Sequence, residues 1–528
     1  MSEKETFYIT TPIYYPSAKF TLGHCYTTII CDALARFNRM RGKDVFFLTG
    51  TDEHGQKIAK SAKEAGKTEM EYVTSIVEDA KDLWKLLDIS YDKFIRTTDE
   101  YHVEAVKKIF NKLYEQGDIY KGHYKGLYCT PCESFWTEEQ LVDGKCPDCG
   151  RPVIEASEDA YFFRLSKYAD KILELYKNDP EFLQPKNRVN EMVNNFLKPG
   201  LKDLCVTRQS VKWGIPIDID PNQTIYVWLD ALNNYITALG YMSEDDSLFK
   251  KYWPANVHMV GKEIVRFHAI TWPAILIALG LPLPKRVFAH GWLVVGGDKL
   301  SKSKDSGVKD VLDPRILAPR YGIDAIRLFL LKEIPFGQDG NYTQELFLNA
   351  INNSLANEFG NLVSRTVGMI QKYCSGHIDN PNESTQLDID FKQYILNKRD
   401  EIFLSMDKLQ VSDAINQVFD IFRRCNKYID ENEPWILSKD ESKKNRLATM
   451  LYTLSEAIII GSTLLISFLP DKAKNVFSQF GQKIPTDFDN IKNFGFMNNS
   501  LTVEKGENIY PRLDIKKEME ELSAICNK

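Results

Sequence analysis

Between Phe7 and Thr49 the chain reads strand, turn, helix, strand, and that order narrows the fold more than any other feature. Phe7 to Tyr14 is β-branched and aromatic. Cys25 to Met40 carries apolar residues at Ile30, Leu34 and Phe37 and is followed by Gly42, as a helix with a glycine C-terminal cap would be. Val45 to Thr49 is a short apolar run of the buried-strand kind. The order points to a parallel α/β sheet.

The rhythm breaks near Tyr120. Gly122 to Arg151 is dense in Gly, Pro and Cys and reads as a small irregular insertion. Strand signals return at Thr224 to Trp228, Val257 to Val260 and Arg286 to Ala289. From about Gln344 the pattern is helical: Leu346 to Tyr373, Phe391 to Leu409, Val411 to Asn432 and Arg446 to Leu469, a set that suggests an all-α bundle. Pro511 to Lys528 reads as a final amphipathic helix. A length of 528 residues suits such a division into about three domains.

Composition bounds the function classes. Lys plus Arg number 67 against 73 Asp plus Glu, a net charge of −6, with 43% hydrophobic and 27% charged residues. These are the fractions of a soluble globular protein, not of a disordered or collagen-like one. The slight acidity argues against a histone-like mass binder of nucleic acid, yet leaves room for a local basic groove. The N-terminal residues lack the basic start, apolar core and small-residue cleavage site of a signal peptide. The one membrane-like stretch, Arg446 to Phe468, contains Glu456 and several Ser and Thr, and reads as a buried bundle helix. The expectation is a cytoplasmic protein that does not span a membrane.

Cys129-Thr-Pro-Cys132 and Cys146-Pro-Asp-Cys149 form two C-x-x-C knuckles separated by thirteen residues. Their four thiolates can close a tetrahedron around zinc with no open position, which makes the site structural. A redox couple is the other reading, but redox pairs seldom come as two knuckles in one Gly/Pro-rich insertion. Cys25, Cys31, Cys205, Cys374, Cys425 and Cys526 are scattered and read as ordinary thiols.

Thr21-Leu22-Gly23-His24 follows the first strand and opens the first helix. A helix N-terminus offers backbone N–H groups and the positive end of a dipole to phosphate, Gly23 lets a ligand approach the backbone, and His24 can donate. Alone, the string is weak, and a turn with a surface histidine is its commoner explanation. Lys299-Leu300-Ser301-Lys302-Ser303 follows Gly296-Gly297-Asp298 and can close over a polyphosphate; alone, it is equally an exposed basic loop.

Together the two strings resemble the nucleotide-binding signatures of class I aminoacyl-tRNA synthetases. Further segments narrow the resemblance to the methionyl-tRNA synthetases: Thr11-Pro12-Ile13-Tyr14-Tyr15-Pro16, Gly50-Thr51-Asp52-Glu53-His54-Gly55, Tyr226-Val227-Trp228-Leu229-Asp230-Ala231, Gly261-Lys262-Glu263-Ile264, and Phe267-His268 ahead of Trp272-Pro273. The likeness runs in order over nearly the whole chain. The first signature usually begins with His, where this chain has Thr21. Thr21 can hydrogen-bond but reaches less far and carries no charge, leaving most of the phosphate contact to His24 and the backbone.

The resemblance implies a doubly wound parallel-sheet (Rossmann-like) catalytic domain with a zinc-knuckle insertion, followed by an all-α helix bundle. The expected division is 1–119 and 203–293 for the catalytic halves, 120–202 for the insertion, 294–345 for a linker with the second signature, and 346–528 for an anticodon-binding domain. The implied reaction joins L-methionine to ATP as methionyl-adenylate and passes methionine to the 3′ end of tRNA(Met), initiator tRNA included. No protein nucleophile is needed, so catalysis is positioning and charge stabilisation by His24, Lys299 and Lys302. Thr21, Gly23, Glu263 and Ser301 complete the expected ATP site, Glu263 holding ribose hydroxyls, with magnesium arriving on ATP. Ile13, Tyr15, Asp52, Trp228, Ala231, Tyr235 and His268 form the expected methionine site. There Asp52 meets the ammonium and the aromatics meet the thioether. Many relatives have Pro where this chain has Leu232, and Arg208 matches an arginine near the family's site. Asn357, Asn361, Arg365 and Trp435 are the implied anticodon readers. One structural zinc per chain and a monomer complete the expectation.

Three rivals are weaker. Synthetases for leucine, isoleucine or valine carry a large editing domain, and the insertion from Tyr120 to Lys202 has no room for one. A cysteinyl enzyme needs an open zinc position, which four clustered thiolates deny. A non-catalytic tRNA-binding protein would not need His24, Lys299 and Lys302 together.

Overall fold

The computed structural model describes residues 4–129, 134–136, 138, 141–147, 149–295, 298–299 and 313–526. Six parallel strands form its central sheet: β1 (Thr6–Thr10), β2 (Asp44–Thr51), β3 (Lys93–Arg96), β4 (Leu183–Gln184), β5 (Val257–Gly261) and β6 (Val287–His290), in the order β3-β2-β1-β5-β6-β4. In register, Tyr8 lies beside Phe46 and Ile9 beside Val257. β1 is flanked by β2 on one side and β5 on the other, so the strand order reverses at its C-terminal end. Such a switch point leaves a crevice where ligands of α/β sheets bind.

β1 is shorter than the apolar run Phe7 to Tyr14. Pro12 lacks an N–H and cannot continue a central ladder. Past it the chain rejoins β2 through Tyr14, whose N–H donates to Gly50 O at 2.9 Å. Helix α1 (Leu22–Met40) follows and buries Ile29, Ile30, Ala33, Leu34 and Phe37. The run Thr224 to Trp228 also splits. Its strand ends at Ile225; Tyr226 still donates its N–H to Val206 O at 2.8 Å but serves as the N-cap of the helix Val227–Leu232.

The insertion is a long antiparallel pair, Ile119–Cys129 against Ile154–Phe163, with Ser134–Trp136 along one side. The C-terminal region is helical, with α2 (Asn361–Cys374), α3 (Gln386–Asp407), α4 (Val411–Asn432) and α5 (Lys444–Leu465). The stretch Glu441–Leu465 is long and apolar enough to cross a membrane, but 94% of its most apolar window is buried inside the protein. Glu456 within it accepts the Gly495 N–H at 2.8 Å. The bundle shares its core with α1: the rings of Phe37 and Phe403 meet edge to face at 5.2 Å.

Candidate active site and metal centre

At the mouth of the switch point, His24 is held from three sides. Its Nδ1 accepts the Thr21 backbone N–H at 3.0 Å, with Thr21 Oγ1 also at 3.0 Å. Its ring stacks on Phe20 at 4.7 Å and 7°, and Tyr14 meets it edge-on. With Nδ1 accepting, the neutral ring carries its proton on Nε2, where it is a donor. Thr21 therefore orients His24. A Cβ at Gly23 would meet only Thr21 Oγ1, at 3.7 Å, so packing within the chain does not demand glycine there.

Across the crevice, the turn Lys262–Ile264 leaves the end of β5. Glu263 accepts the indole N–H of Trp292 at 2.8 Å. A Cβ at Gly261 would lie 2.4 Å from Glu263 Oε2, so a larger residue there would push the carboxylate out of this position. The backbone of Lys299 pairs with Val294 in a short antiparallel ladder. Ser301 and Lys302 lie outside the described residues.

The expected methionine residues come from four segments. Ile13, Tyr15 and Trp228 are half-buried. Ile13 and Trp228 pack on a small apolar cluster of Tyr128, Tyr226, Val227 and Ala231. Trp228 also stacks on Phe267, and Lys57 Nζ lies 5.6 Å from the Tyr15 ring centre. Asp52 is brought to Tyr14 by a backbone bond of 3.0 Å, its N–H donating to the tyrosine carbonyl. Tyr235 is buried, and its hydroxyl lies 2.7 Å from His268 Nε2. His268 Nδ1–H donates to Ile264 O at 3.0 Å, so Nε2 accepts from Tyr235. Burial lowers the His268 pKa to about 4 and that of neighbouring His258 well below its ordinary value, so both rings are neutral at pH 7. Leu232 lies with Tyr235 and Leu229 in a large core cluster against which Ile13 and Trp228 also pack, and is not a member of the small cluster of Tyr128, Tyr226, Val227 and Ala231.

Sequence reasoning passed over the groups that hold this site together. Asp230 is fully buried between His54 Nδ1 at 2.6 Å and His102 Nε2 at 2.8 Å. Burial pushes its carboxyl up, but the two histidines more than offset this and hold it below the usual carboxylate range. The cluster ties the segment bearing Asp52 to the helix bearing Trp228 and Ala231. Glu53, also buried, takes both Nε (2.8 Å) and Nη2 (3.0 Å) of Arg96. Arg208, which the family resemblance already placed near the site, is buried as well. It pairs with Glu158 and lies 4.3 Å over the Tyr128 ring. The motif Thr-Asp-Glu-His-Gly contained two of these groups, but nothing local named their partners.

The sulfurs of Cys129, Cys146 and Cys149 lie within 4.8 Å of one another, with Cys129 and Cys149 3.6 Å apart. Thiolates on a tetrahedral zinc sit about 3.8 Å apart, so the three fit a common ion. Cys132 lies outside the described residues. Cys129 ends the strand whose preceding residue, Tyr128, lies in the cluster beside Trp228, so this lobe abuts the pocket.

In the helical region Asn357 and Asn361 are exposed and Arg365 is half-exposed, 3.8 Å from Asp430 of α4. Trp435 follows α4 in the turn Pro434–Leu437 and is 41% exposed, a high value for so large an apolar ring. These four residues lie on the bundle, in segments apart from those around His24 and Glu263.

Comparison with known proteins agrees with this arrangement. The family described as tRNA synthetases class I (M) matches residues 7–155 and 151–367. A methionine–tRNA ligase of Caldanaerobacter subterraneus subsp. tengcongensis is 57% identical over 98% of this chain and 81% of its own length. One from Clostridium tetani is 54% identical over 99% and 81%. The Mycobacterium tuberculosis methionyl-tRNA synthetase in complex with methionyl-adenylate superposes with a TM-score of 0.89, at 39% identity, over 96% of this chain and 100% of that one. The chain belongs to the methionyl-tRNA synthetases, within the class I tRNA synthetases.

Proposed function

We propose that the crevice at the head of the sheet carries the methionine–tRNA ligase reaction of this family. L-Methionine is activated with ATP to methionyl-adenylate, and methionine is then transferred to the 3′ end of tRNA(Met), with release of pyrophosphate and AMP. The observation that carries the reading is the joint placement, around one switch point, of a histidine oriented as a donor and a carboxylate beside neutral, half-buried aromatic walls.

In the activation step the methionine carboxylate attacks the α-phosphate directly, so the chain supplies position and charge stabilisation. His24 Nε2–H and the N-terminus of α1 face the phosphates with Thr21 and Gly23, and Lys299, Ser301 and Lys302 close over them. Glu263 accepts the ribose hydroxyls. Asp52 meets the substrate ammonium. Ile13, Tyr15, Trp228, Ala231 and Tyr235 enclose the thioether, and neutral His268 keeps charge out of the pocket. Magnesium enters with ATP and neutralises charge on its phosphates.

The cysteine lobe supports one structural zinc held by Cys129, Cys132, Cys146 and Cys149. A closed thiolate site would fix the strand end that carries Tyr128. Asn357, Asn361, Arg365 and Trp435 read the anticodon of tRNA(Met), including the initiator, by hydrogen bonding and stacking. The domains divide as 1–119 with 203–293, 120–202, 294–345 and 346–528. The protein works in the cytoplasm as a monomer.

The test is ATP–pyrophosphate exchange with single amino acids. Methionine-dependent exchange is the expected result. Exchange with leucine, or none with any amino acid, would overturn the assignment.

A further inference from the structure

Trp292 belongs to none of the segments that carry the family likeness, yet it touches the nucleotide side of the crevice directly. Its indole N–H donates to Glu263 Oε2 at 2.8 Å. A bond from a neutral donor to a carboxylate is of the stronger, charge-assisted kind. Glu263 is exposed on a short turn, and ordering a free glutamate costs up to about 2 kcal/mol of rotamer freedom. The indole bond holds the carboxylate before the nucleotide arrives and so lowers the ordering cost that falls on nucleotide binding.

Trp292 is itself firmly placed. Its backbone N–H donates to Asp339 Oδ1 at 2.8 Å, and its carbonyl accepts the Gly340 N–H at 2.8 Å. Lys262 Nζ lies 3.9 Å from the ring centre and is held there by Asp339 Oδ2 at 2.7 Å. Gly291, just before it, runs so close to the Gln338 backbone that a Cβ would come within 2.1 Å. Lys262, Glu263, Trp292 and Asp339 thus form one interlocked group beyond the ends of β5 and β6.

We infer that Trp292 is a positioning residue for the nucleotide, its indole N–H fixing the Glu263 carboxylate for the ribose hydroxyls; this rests on the ribose role proposed for Glu263. A carboxylate offers about four lone-pair positions, and the indole occupies one. Trp292 also directly precedes the strand Leu293–Val295 that pairs with Asp298–Lys299, so one residue serves the ribose side and begins the hairpin leading into the second signature.

The test compares ATP with 2′-deoxyATP and 3′-deoxyATP in methionine-dependent pyrophosphate exchange. Trp292→Phe keeps the ring over Lys262 and removes the N–H. It should raise the KM for ATP about tenfold, the worth of one charge-assisted bond, and leave the KM for methionine within about twofold. The preference for ATP over one or both deoxynucleotides should fall by a similar factor. That preference is a ratio taken within one preparation, so partial misfolding cancels. Trp292→Tyr, which keeps an aromatic face but displaces the donor, is the second variant and should show the same loss, deciding the matter if Trp292→Phe does not fold. Glu263→Ala separates the two readings. If it abolishes the ribose preference while both Trp292 variants keep it, the role of Trp292 is overturned and that of Glu263 stands. If Glu263→Ala keeps the full preference, the ribose role of Glu263 is wrong and the positioning role falls with it.

Discussion

The carboxylate of Asp32 and the guanidinium of Arg327 meet at 2.6 Å, and neither side chain reaches solvent. Asp32 lies on α1, the helix that begins beside His24. Its oxygens also take Arg36 Nε at 2.8 Å and the backbone N–H and hydroxyl of Ser90. Arg327 Nε donates to Phe468 O at 2.6 Å, just past the end of α5. One buried carboxylate therefore ties the helix of the first signature to the segment after the second and to the bundle.

Removing one partner of such a pair leaves an uncompensated buried charge. Arg327→Met should destabilise the protein by about 3–5 kcal/mol in urea unfolding. Burial pushes the Asp32 carboxyl up, but Arg327, Arg36 and Ser90 together hold it below its ordinary value. A carboxyl lowered in the folded state adds stability above its unfolded pKa, near pH 4, and that stability is lost as pH falls through the lowered value. Arg327→Met should shrink this acid-side loss. An Arg327→Met protein as stable as the parent would show that the pair does not fasten the helices.

The buried, neutral His268 predicts a separate pH dependence. With a folded pKa of about 4, against an ordinary value of 6.5, the unfolded chain binds more protons between those values. Stability should therefore fall as pH drops from 6.5 towards 4, this group contributing about 2 kcal/mol of loss between pH 7 and pH 5. His268→Gln should flatten that part of the profile, read as urea midpoints at both pH values. An unchanged slope would mean that His268 is charged in the folded protein.

His24 should matter to chemistry more than to amino-acid binding. His24→Ala should lower the exchange rate about 100- to 1,000-fold, as loss of a preorganised donor does, with little change in the KM for methionine. Thr21→Val, which keeps the backbone N–H that holds the ring, should have a much smaller effect. Equal losses in the two variants would move the main contact to the threonine hydroxyl.

Metal analysis should find one zinc per chain, with two or none contradicting the four-thiolate reading. Cys146→Ser should lose the metal and loosen the strand end at Cys129. Because Tyr128 is in the cluster beside Trp228, the KM for methionine should rise as well.

Trp435→Ala should weaken aminoacylation of tRNA(Met) by about 5- to 150-fold, the range for one lost base stack, and leave methionine-dependent exchange nearly unchanged. Equal losses in both assays would make Trp435 a packing residue and not a reader of RNA.

Much of this was legible along the chain. The alternation of Phe7 to Thr49, the paired C-x-x-C knuckles and the long helical runs after Gln344 are local signals, set by side-chain period and turn chemistry. The errors fell at element ends. β1 stops at Thr10 because of Pro12, and the strand ending at Ile225 gives way to a helix capped by Tyr226, a switch that the apolar run Thr224 to Trp228 does not announce.

By itself, then, the sequence determined the class of fold, the family likeness and the residue types the chemistry needs, since each is written in a short window. Only the tertiary structure decided which distant groups hold those residues in place. Asp32 finds Arg327 across 295 positions, Asp230 finds both His54 and His102, and Glu263 finds Trp292. The physical reason is burial. A charge or a donor taken out of water must be met by a partner, and the partner is whichever group packing brings within about 3 Å, however far away it lies in the chain.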